Sequence, residues 1–564
     1  MTRAKRRRVT VTVAAMVAAI VAVGAALVPG TAVGAPPESG GRAPILRDSS
    51  PAQAGLVAGP IEQMVGDLSA SLAPSPTRPL YAGGVVLAGY DGRIVQRTAA
   101  GYALRYADGG GTELPRDQWI PAQADTIYDL ASVSKLFTSI VVVQQVEAGL
   151  LDLDHTVASY IPEFAVNGKQ SVTLRQLLTH TSGFPAWLPL YSAYKTPEER
   201  IGAVYAATLT NPPGTKYLYS DLNMITAGKL VELVTGQTLD HVVRERITKP
   251  LGMIDTGYNP PAALRDRIAA TEWQPSTGRG MVHGTVHDEN AWSLGGVAGH
   301  AGVFSTADDL AVLAQTIVNG GAYGHARILS PESVDTLVHN ENSAFPGNAH
   351  GLGFELDQRW YMDALSSPQT IGHTGYTGTS LVIDLASRSF VILLTNRVHP
   401  SRDWGSNNPV RRAVARDLAL AIPVKPSKGN EAWFSGVGDA RTATLTVSLT
   451  LGDRSKLDFD LWYDTESTDV VTLESSADGG VTWRELDRWS GWSGKQWNTQ
   501  SVDLAKLSGA VQLRWRYTTD SLYQGRGVYV DGLRVTDGNH VVFDDSRRHD
   551  IETVRTDGWA LSST

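Results

Sequence analysis

The hydrophobic pattern of this chain of 564 residues changes character once, close to Pro423, and that break excludes any single uniform architecture. From Glu431 onward the apolar residues fall in short alternating runs such as TATLTVSLT, LDFDLWYDT, VVTLESS, VQLRWRYTT, VYVDGLRV and VVFDD, separated by polar or glycine-containing turns. A period of two places alternate side chains on opposite faces of a strand, so residues 432–564 read as an all-β sandwich. The polar stretch KPSKGNE at 425–431 is the natural linker.

Residues 56–424 mix two periods. Ile61, Met64, Val65, Leu68 and Leu72 share one stripe of a helix expected over Pro60 to Leu72, and two apolar runs around Asp91-Gly92 form a hairpin signal. SKLFTSIVVVQQVEAG reads as a helix stopped by Gly149, LRQLLTH as one starting near Thr173, and Asp221 to Val234 as a third. TADDLAVLAQTIVNG adds another, capped by Ser305 or Thr306, before a second hairpin within TSLVIDLASRSFVILLTNR. Hairpins at both ends with helices between them predict an α/β (α+β) domain, an antiparallel sheet packed against a helical region.

The start of the chain is basic and then almost unbroken apolar to Val28, which reads as a secretion signal over residues 1–35. Cleavage after Val33, Gly34 and Ala35 is favoured over retention as an uncleaved anchor, and a flexible lead is expected over 36–55. The expected location is therefore secreted or cell-surface, with membrane contact only if the segment is retained. The chain has no cysteine, which excludes disulfides, thiolate metal sites and a cysteine nucleophile. Its net charge of −8 grows more negative when Arg3, Lys5, Arg6, Arg7 and Arg8 leave with the signal, which argues against a nonspecific nucleic-acid partner.

The chemistry is concentrated in three segments. Ser132-Val-Ser-Lys135 opens an apolar helix, and a spacing of three residues puts the hydroxyl and the amine on one helical face. A lysine so placed can take the hydroxyl proton and turn a weak alcohol into a nucleophile. Tyr219-Ser220-Asp221 precedes a second helix, and Gly372-His373-Thr374-Gly375-Tyr376 sits where a sheet-edge strand should begin. No Gly-x-Ser-x-Gly elbow is present, which disfavours a conventional α/β-hydrolase.

These three boxes, in this order, resemble the serine beta-lactamase and penicillin-binding protein superfamily, with its class C beta-lactamases, D-alanyl-D-alanine carboxypeptidases and esterases. The resemblance covers roughly residues 55 to 420 and includes LLTHTSGF at 177–184, HDENAWSLGGVAGHAGVFSTADDLA at 287–311 and LLTNRVHP at 393–400. It implies an acyl-enzyme on Ser132, with Lys135 and Tyr219 sharing general-base and proton-return duties. It also implies an oxyanion hole from the Ser132 and Tyr376 amides, and a substrate lying along Asp221, His373, Thr374 and Gly375. The expected function is a hydrolase of a small-molecule ester, amide or peptide that needs no cofactor. The alternatives are a D-alanyl-D-alanine carboxypeptidase, a beta-lactamase, or an inactive cell-wall-binding protein. Two departures weaken the beta-lactamase reading: Asp221 stands where class C enzymes carry asparagine, and His373, a weaker and pH-dependent cation, where many relatives carry lysine.

His283, His287, Asp288, Glu289 and His300 form a possible divalent-cation set, with zinc the minor reading against a loop held by its own hydrogen bonds. The last domain, with SSADGGVTWREL at 475–486 and VYVDGLRV, resembles the accessory β-sandwich of secreted immune-inhibitor-A-type peptidases. Its Trp489, Trp492 and Trp497 suit either the sandwich core, the favoured reading, or contact with a polysaccharide or cell wall. Asp478, Asp520, Asp531, Asp544 and Asp545 are scattered calcium candidates that define no site by themselves.

Overall fold

The Asp91-Gly92 pair turns the chain as expected, both residues having positive φ (44° and 77°), and it joins strand β1 (Gly83–Tyr90) to β2 (Arg93–Leu104). The computed structural model describes residues 42–494 and 496–564. The expected signal segment, residues 1–35, lies outside them, and no helix among the described residues is long and apolar enough to cross a membrane. The later strands are β3 (Glu355–Leu356), β4 (Thr370–Thr374), β5 (Ser380–Asp384) and β6 (Ser389–Thr395). They assemble antiparallel in the order β2-β1-β6-β5-β4-β3, the two ends of the domain meeting at β1 and β6 with Leu87 opposite Ile392.

Both faces of this sheet are covered, which explains why its strands read as continuous apolar runs. Val85, Leu87, Ile383, Ile392 and Leu394 pack into the helical region, while Val86, Ala88, Val391 and Leu393 face the opposite way. On that second side lie α1 (Ala58–Ala70), through Ile61, Met64 and Leu68, and the last helix of the domain, Asn408–Ala421, through Val410, Val414 and Leu418. The helical side holds α2 (Ser134–Glu147), α3 (Asp221–Thr235) and α4 (Ala307–Val318), so the Asn408–Ala421 helix is α5. Thr306 caps α4, its hydroxyl accepting from the Asp309 amide.

The lead is a correction to the sequence reading. From Arg42 on it is tied down rather than free: the Ala43 amide donates to Gly324 O at 2.8 Å, and Arg47–Asp48 pairs in parallel with β2. Edge strands expose unpaired backbone groups, and this segment satisfies those of β2.

Beyond Ala421 the chain enters a two-sheet sandwich. One sheet runs Asn498–Asp503, Ser455–Asp464, Gly527–Asp537, Ala432–Phe434, Ala560–Ser562, and the other Arg484–Trp489, Val470–Ser476, Gly509–Thr518, Thr442–Leu451, Arg555–Asp557. Trp433, Trp515 and Trp559 are buried in its core, Trp489 packs edge-on against Phe459, and the Trp497 indole donates to Lys425 O at 2.9 Å. Of the five scattered aspartates, Asp520 alone belongs to a close acidic group, with Glu466 and Asp469. The sandwich is fixed to the first domain by Arg359 donating to Thr465 O at 3.0 Å and Arg526 donating to Ile422 O at 2.6 Å.

Candidate active site

The nucleophile segment is held at a strained turn. Ala131 has a φ of 46°, an uncommon value for a residue with a side chain, and the preceding Asp129 secures it by accepting the Ala131 amide at 2.8 Å. The same carboxylate accepts the His287 amide at 2.6 Å. Two hydroxyls of the β4–β5 turn complete the clamp, Thr377 donating to Asp129 O at 2.7 Å and Thr379 to Leu130 O at 3.0 Å. The turn that carries Tyr376 is thereby fixed against the turn that carries Ser132. Neither the Ser132 nor the Tyr376 amide donates to another group of the chain among the described residues, leaving both available to a substrate oxygen.

Lys135 lies one turn into the helical segment with no exposed side-chain surface, and its Nζ donates to Ser132 Oγ at 2.9 Å and to His300 O at 3.1 Å. The third ligand of the ammonium is Asp221 Oδ1 at 2.8 Å. Tyr219 covers the site, its ring 4.8 Å from Nζ. Burial works against the lysine charge, but the Asp221 carboxylate and Tyr219 outweigh it and hold Lys135 above its ordinary value. Burial moves the Tyr219 phenol the other way, up to about 12, although Lys135 pulls it back. His180 orients the tyrosine box: its Nδ1 accepts from the Ser220 amide at 3.2 Å and faces Asn223 Nδ2 at 3.0 Å, and its ring lies 4.6 Å from that of Tyr219.

A cavity of about 360 Å³ opens beside Ser132, lined by Tyr217, Tyr219, Glu355, His373, Arg397 and Arg411 among others. His373 is buried, and desolvation drives its imidazole down to about 3, with Lys135 adding to the effect. This corrects the expectation of a pH-dependent cation: His373 is neutral at ordinary pH. The cations of the cavity are Arg397 and Arg411, neither of which makes an ion pair with a carboxylate of the described residues. Arg411 is buried on α5 and donates to Gly375 O at 2.7 Å and Thr379 O at 2.9 Å. Beyond β3, which pairs only with Ile371 and Gly372, His373 and Thr374 are open on the cavity side.

Two further expectations change. Asp221 lies outside the lining of this cavity, and its carboxylate meets Lys135 Nζ at 2.8 Å. Gly375 does line it, but a Cβ there would run into Leu130 O and Thr379 Oγ1, so its lack of a side chain serves the packing of the β4–β5 turn on the nucleophile segment. Gly375→Ala is expected to cost about 1–3 kcal/mol through overpacking and to lower activity with it, as thermal melting and ester turnover would show. Three of the five candidate cation ligands separate, His283 facing Ile268 O, His287 pairing with Glu272 at 2.9 Å and Glu289 with Arg402 at 2.5 Å, whereas His300 and Asp288 stay together at 2.9 Å, close to Asp221.

Comparison with known proteins identifies the family of each domain. The Beta-lactamase family profile matches residues 73–416, and the profile described as Immune inhibitor A-like, MAM domain matches residues 405–560. The chain belongs to the beta-lactamase family. It is 36% identical over 406 residues to a putative D-alanyl-D-alanine carboxypeptidase of Escherichia coli (strain K12), covering 66% of this chain and 90% of that protein. A protein of the same description from Salmonella agona (strain SL483) is 34% identical, over 63% of this chain and 87% of its own. Among solved structures, "EstCE1, a hydrolase with promiscuous acyltransferase activity" is similar with a TM-score of 0.50 and 22% identity, over 64% of this chain and 98% of its own. Unliganded simvastatin synthase LovD from Aspergillus terreus has the same score and identity, over 66% and 100%. These two likenesses concern the fold.

Within the beta-lactamase-family domain, the site residues that sequence reasoning missed are Glu355, Arg397 and Arg411. Arg411 does carry a signal, since Val410, Val414 and Leu418 form a helical stripe that places it one residue into the buried face.

Proposed function

We propose that this protein is an exported serine hydrolase that cleaves an ester or amide bond through a covalent acyl-enzyme on Ser132. The observation that carries the reading is the 2.9 Å hydrogen bond from a fully buried Lys135 to Ser132 Oγ, beneath Tyr219 and beside two unengaged backbone amides. Ser132 Oγ attacks the acyl carbon, whose oxygen takes up charge against the Ser132 and Tyr376 amides. Lys135 and Tyr219 manage the hydroxyl proton and return it to the leaving group, and water then releases the acyl group by the same steps in reverse. Export is supported by the basic-then-apolar start of the sequence and by the match of the second domain to a MAM domain of an immune-inhibitor-A-like type.

The substrate class favoured by the cavity is a peptide with a free carboxylate on its leaving group, because Arg397 and Arg411 stand in the cavity wall without carboxylate partners. The naming of the 36%-identical relative as a putative D-alanyl-D-alanine carboxypeptidase supports the same direction. The test is parallel turnover of an acyl-D-alanyl-D-alanine peptide, followed by D-alanine release, and of p-nitrophenyl acetate. Faster specific turnover of the peptide supports the carboxypeptidase reading, and turnover of the ester alone supports an esterase. Contact of residues 432–564 with cell wall or polysaccharide stays part of the proposal, tested by sedimentation with purified peptidoglycan.

Glu355 supplies a pH prediction. Desolvation raises its carboxyl to about 7, above its unfolded value, so it favours the fold at low pH and that contribution is lost as pH rises through about 7. Glu355→Gln is therefore expected to gain melting temperature relative to the wild type above pH 7 and to lose that gain near pH 5.

A further inference from the structure

We propose that Asp221 is the proton-accepting partner of Lys135, so that Ser132, Lys135 and Asp221 work as a relay in which the carboxylate supplies the basicity and the lysine transmits it. This inference rests on the acyl-enzyme reading above and adds a role for a residue expected to contact substrate.

The contacts form a chain: Ser132 Oγ lies 2.9 Å from Lys135 Nζ, and Nζ lies 2.8 Å from Asp221 Oδ1. The ammonium already has three acceptors, Ser132 Oγ, His300 O and Asp221, so a charged lysine has no lone pair with which to take the serine proton. A base must therefore lie beyond it, and among the described residues Asp221 is the one carboxylate that Lys135 touches. The pair rests charged, since the Asp221 carboxylate holds Lys135 above its ordinary value, and a proton passing from Nζ to Asp221 makes it a neutral pair during the transfer.

A second carboxylate sits behind the first. His300 Nε2 meets Asp288 Oδ1 at 2.9 Å, and ligand atoms of Asp221, Asp288 and His300 all lie within 4.8 Å of one another. Asp288 is fixed by capping a short helix, accepting the Ala291 amide at 2.7 Å. Lys135 is the cation against this acidic group, and its backbone tie to His300 O sets the ammonium in register with Asp221. Four other titratable groups among the described residues bear on Lys135: Tyr219, whose phenol is raised to about 12, His180 and His373, both held neutral by burial, and Glu355, whose carboxyl is raised to about 7.

The acylation step balances as follows. The bond between Ser132 Oγ and the acyl carbon forms while the bond from that carbon to the leaving oxygen or nitrogen breaks. The hydroxyl proton passes to Lys135 Nζ as Nζ releases one of its own to Asp221. The leaving group departs with the Tyr219 proton, which Lys135 and Asp221 replace.

The test uses the full chain and an activated ester, with acylation followed as a function of pH for the wild type, Asp221→Asn and Asp221→Glu, each checked by thermal melting. In Asp221→Asn the lysine itself must lose its charge before it can act, so the acid limb is expected to move up by at least about one pH unit. At neutral pH the acylation rate is expected to fall about 10²-fold with KM within about twofold of the wild type, as removal of a general base does. Asp221→Glu is expected to keep the limb near its wild-type position. Repeating the series in Glu355→Gln separates the limb from the titration of the Glu355 carboxyl. An unmoved limb with a raised KM would overturn the relay and return Asp221 to substrate contact. No acylation of Ser132 in the wild type would overturn the serine-hydrolase reading itself, and the relay with it.

Discussion

Ser132→Ala is expected to lower ester or peptide turnover by about 10⁴–10⁶-fold while leaving the melting temperature within a degree or two, because it removes the attacking atom and little else. The hydroxyl contributes one hydrogen bond, from Lys135, and the turn is held by Asp129, Thr377 and Thr379 rather than by Ser132 itself. The residual activity would come from the two backbone amides and the cavity. A melt scan and a progress curve on the purified full chain check both halves of the expectation. A variant that keeps more than a tenth of the activity would place the chemistry elsewhere.

Lys135→Met carries the second large effect, and it divides into two. Turnover is expected to fall by about 10²–10⁴-fold, since the group that handles the serine proton is gone. Stability is expected to fall by roughly 3 kcal/mol, the lower part of the range for breaking a buried pair, because Asp221 is left without an ion-pair partner among the described residues and is only one-fifth exposed. Adding Asp221→Asn to Lys135→Met should recover most of that stability and none of the activity. Denaturant unfolding of the four proteins of this cycle measures the coupling, and an absence of recovery would mean that the pair contributes no net stability.

The parts of this molecule that depend on local pattern are legible in the sequence itself. The Asp91-Gly92 turn, α2 ending just before Gly149, α4 capped by Thr306 and the alternating strands after Glu431 each follow from spacing and turn chemistry within about a dozen residues. The Ser132 to Lys135 contact is of the same kind, one helical turn. Helix α5 escaped although Val410, Val414 and Leu418 form a stripe, because Arg411, Arg412 and Arg416 make the segment read as charged, and only the fold shows that the Arg411 guanidinium is buried against backbone carbonyls.

What local pattern cannot reach is state and partnership. His373 looks like a titrating cation until its burial is known, and Asp221 looks like a substrate contact until α3 brings it onto a lysine 86 positions earlier in the chain. Glu355, Arg397 and Arg411 come from β3, the segment after β6, and α5, so the sheet order decides that they share one cavity. Residues 42–48 show the same limit: their composition is that of a linker, and their ordering comes from the open edge of β2.

The most direct test of the covalent mechanism is an intact-mass time course of the full chain with a simple penicillin and with an activated ester, beside Ser132→Ala, followed by peptide mapping. An acyl-enzyme mechanism requires a mass increase equal to the acyl group on the wild type alone, mapped to Ser132, long-lived with the penicillin if the protein is a carboxypeptidase and transient with the ester. Turnover of the ester with no adduct at Ser132 under rapid quenching, or an adduct that survives in Ser132→Ala, would contradict it.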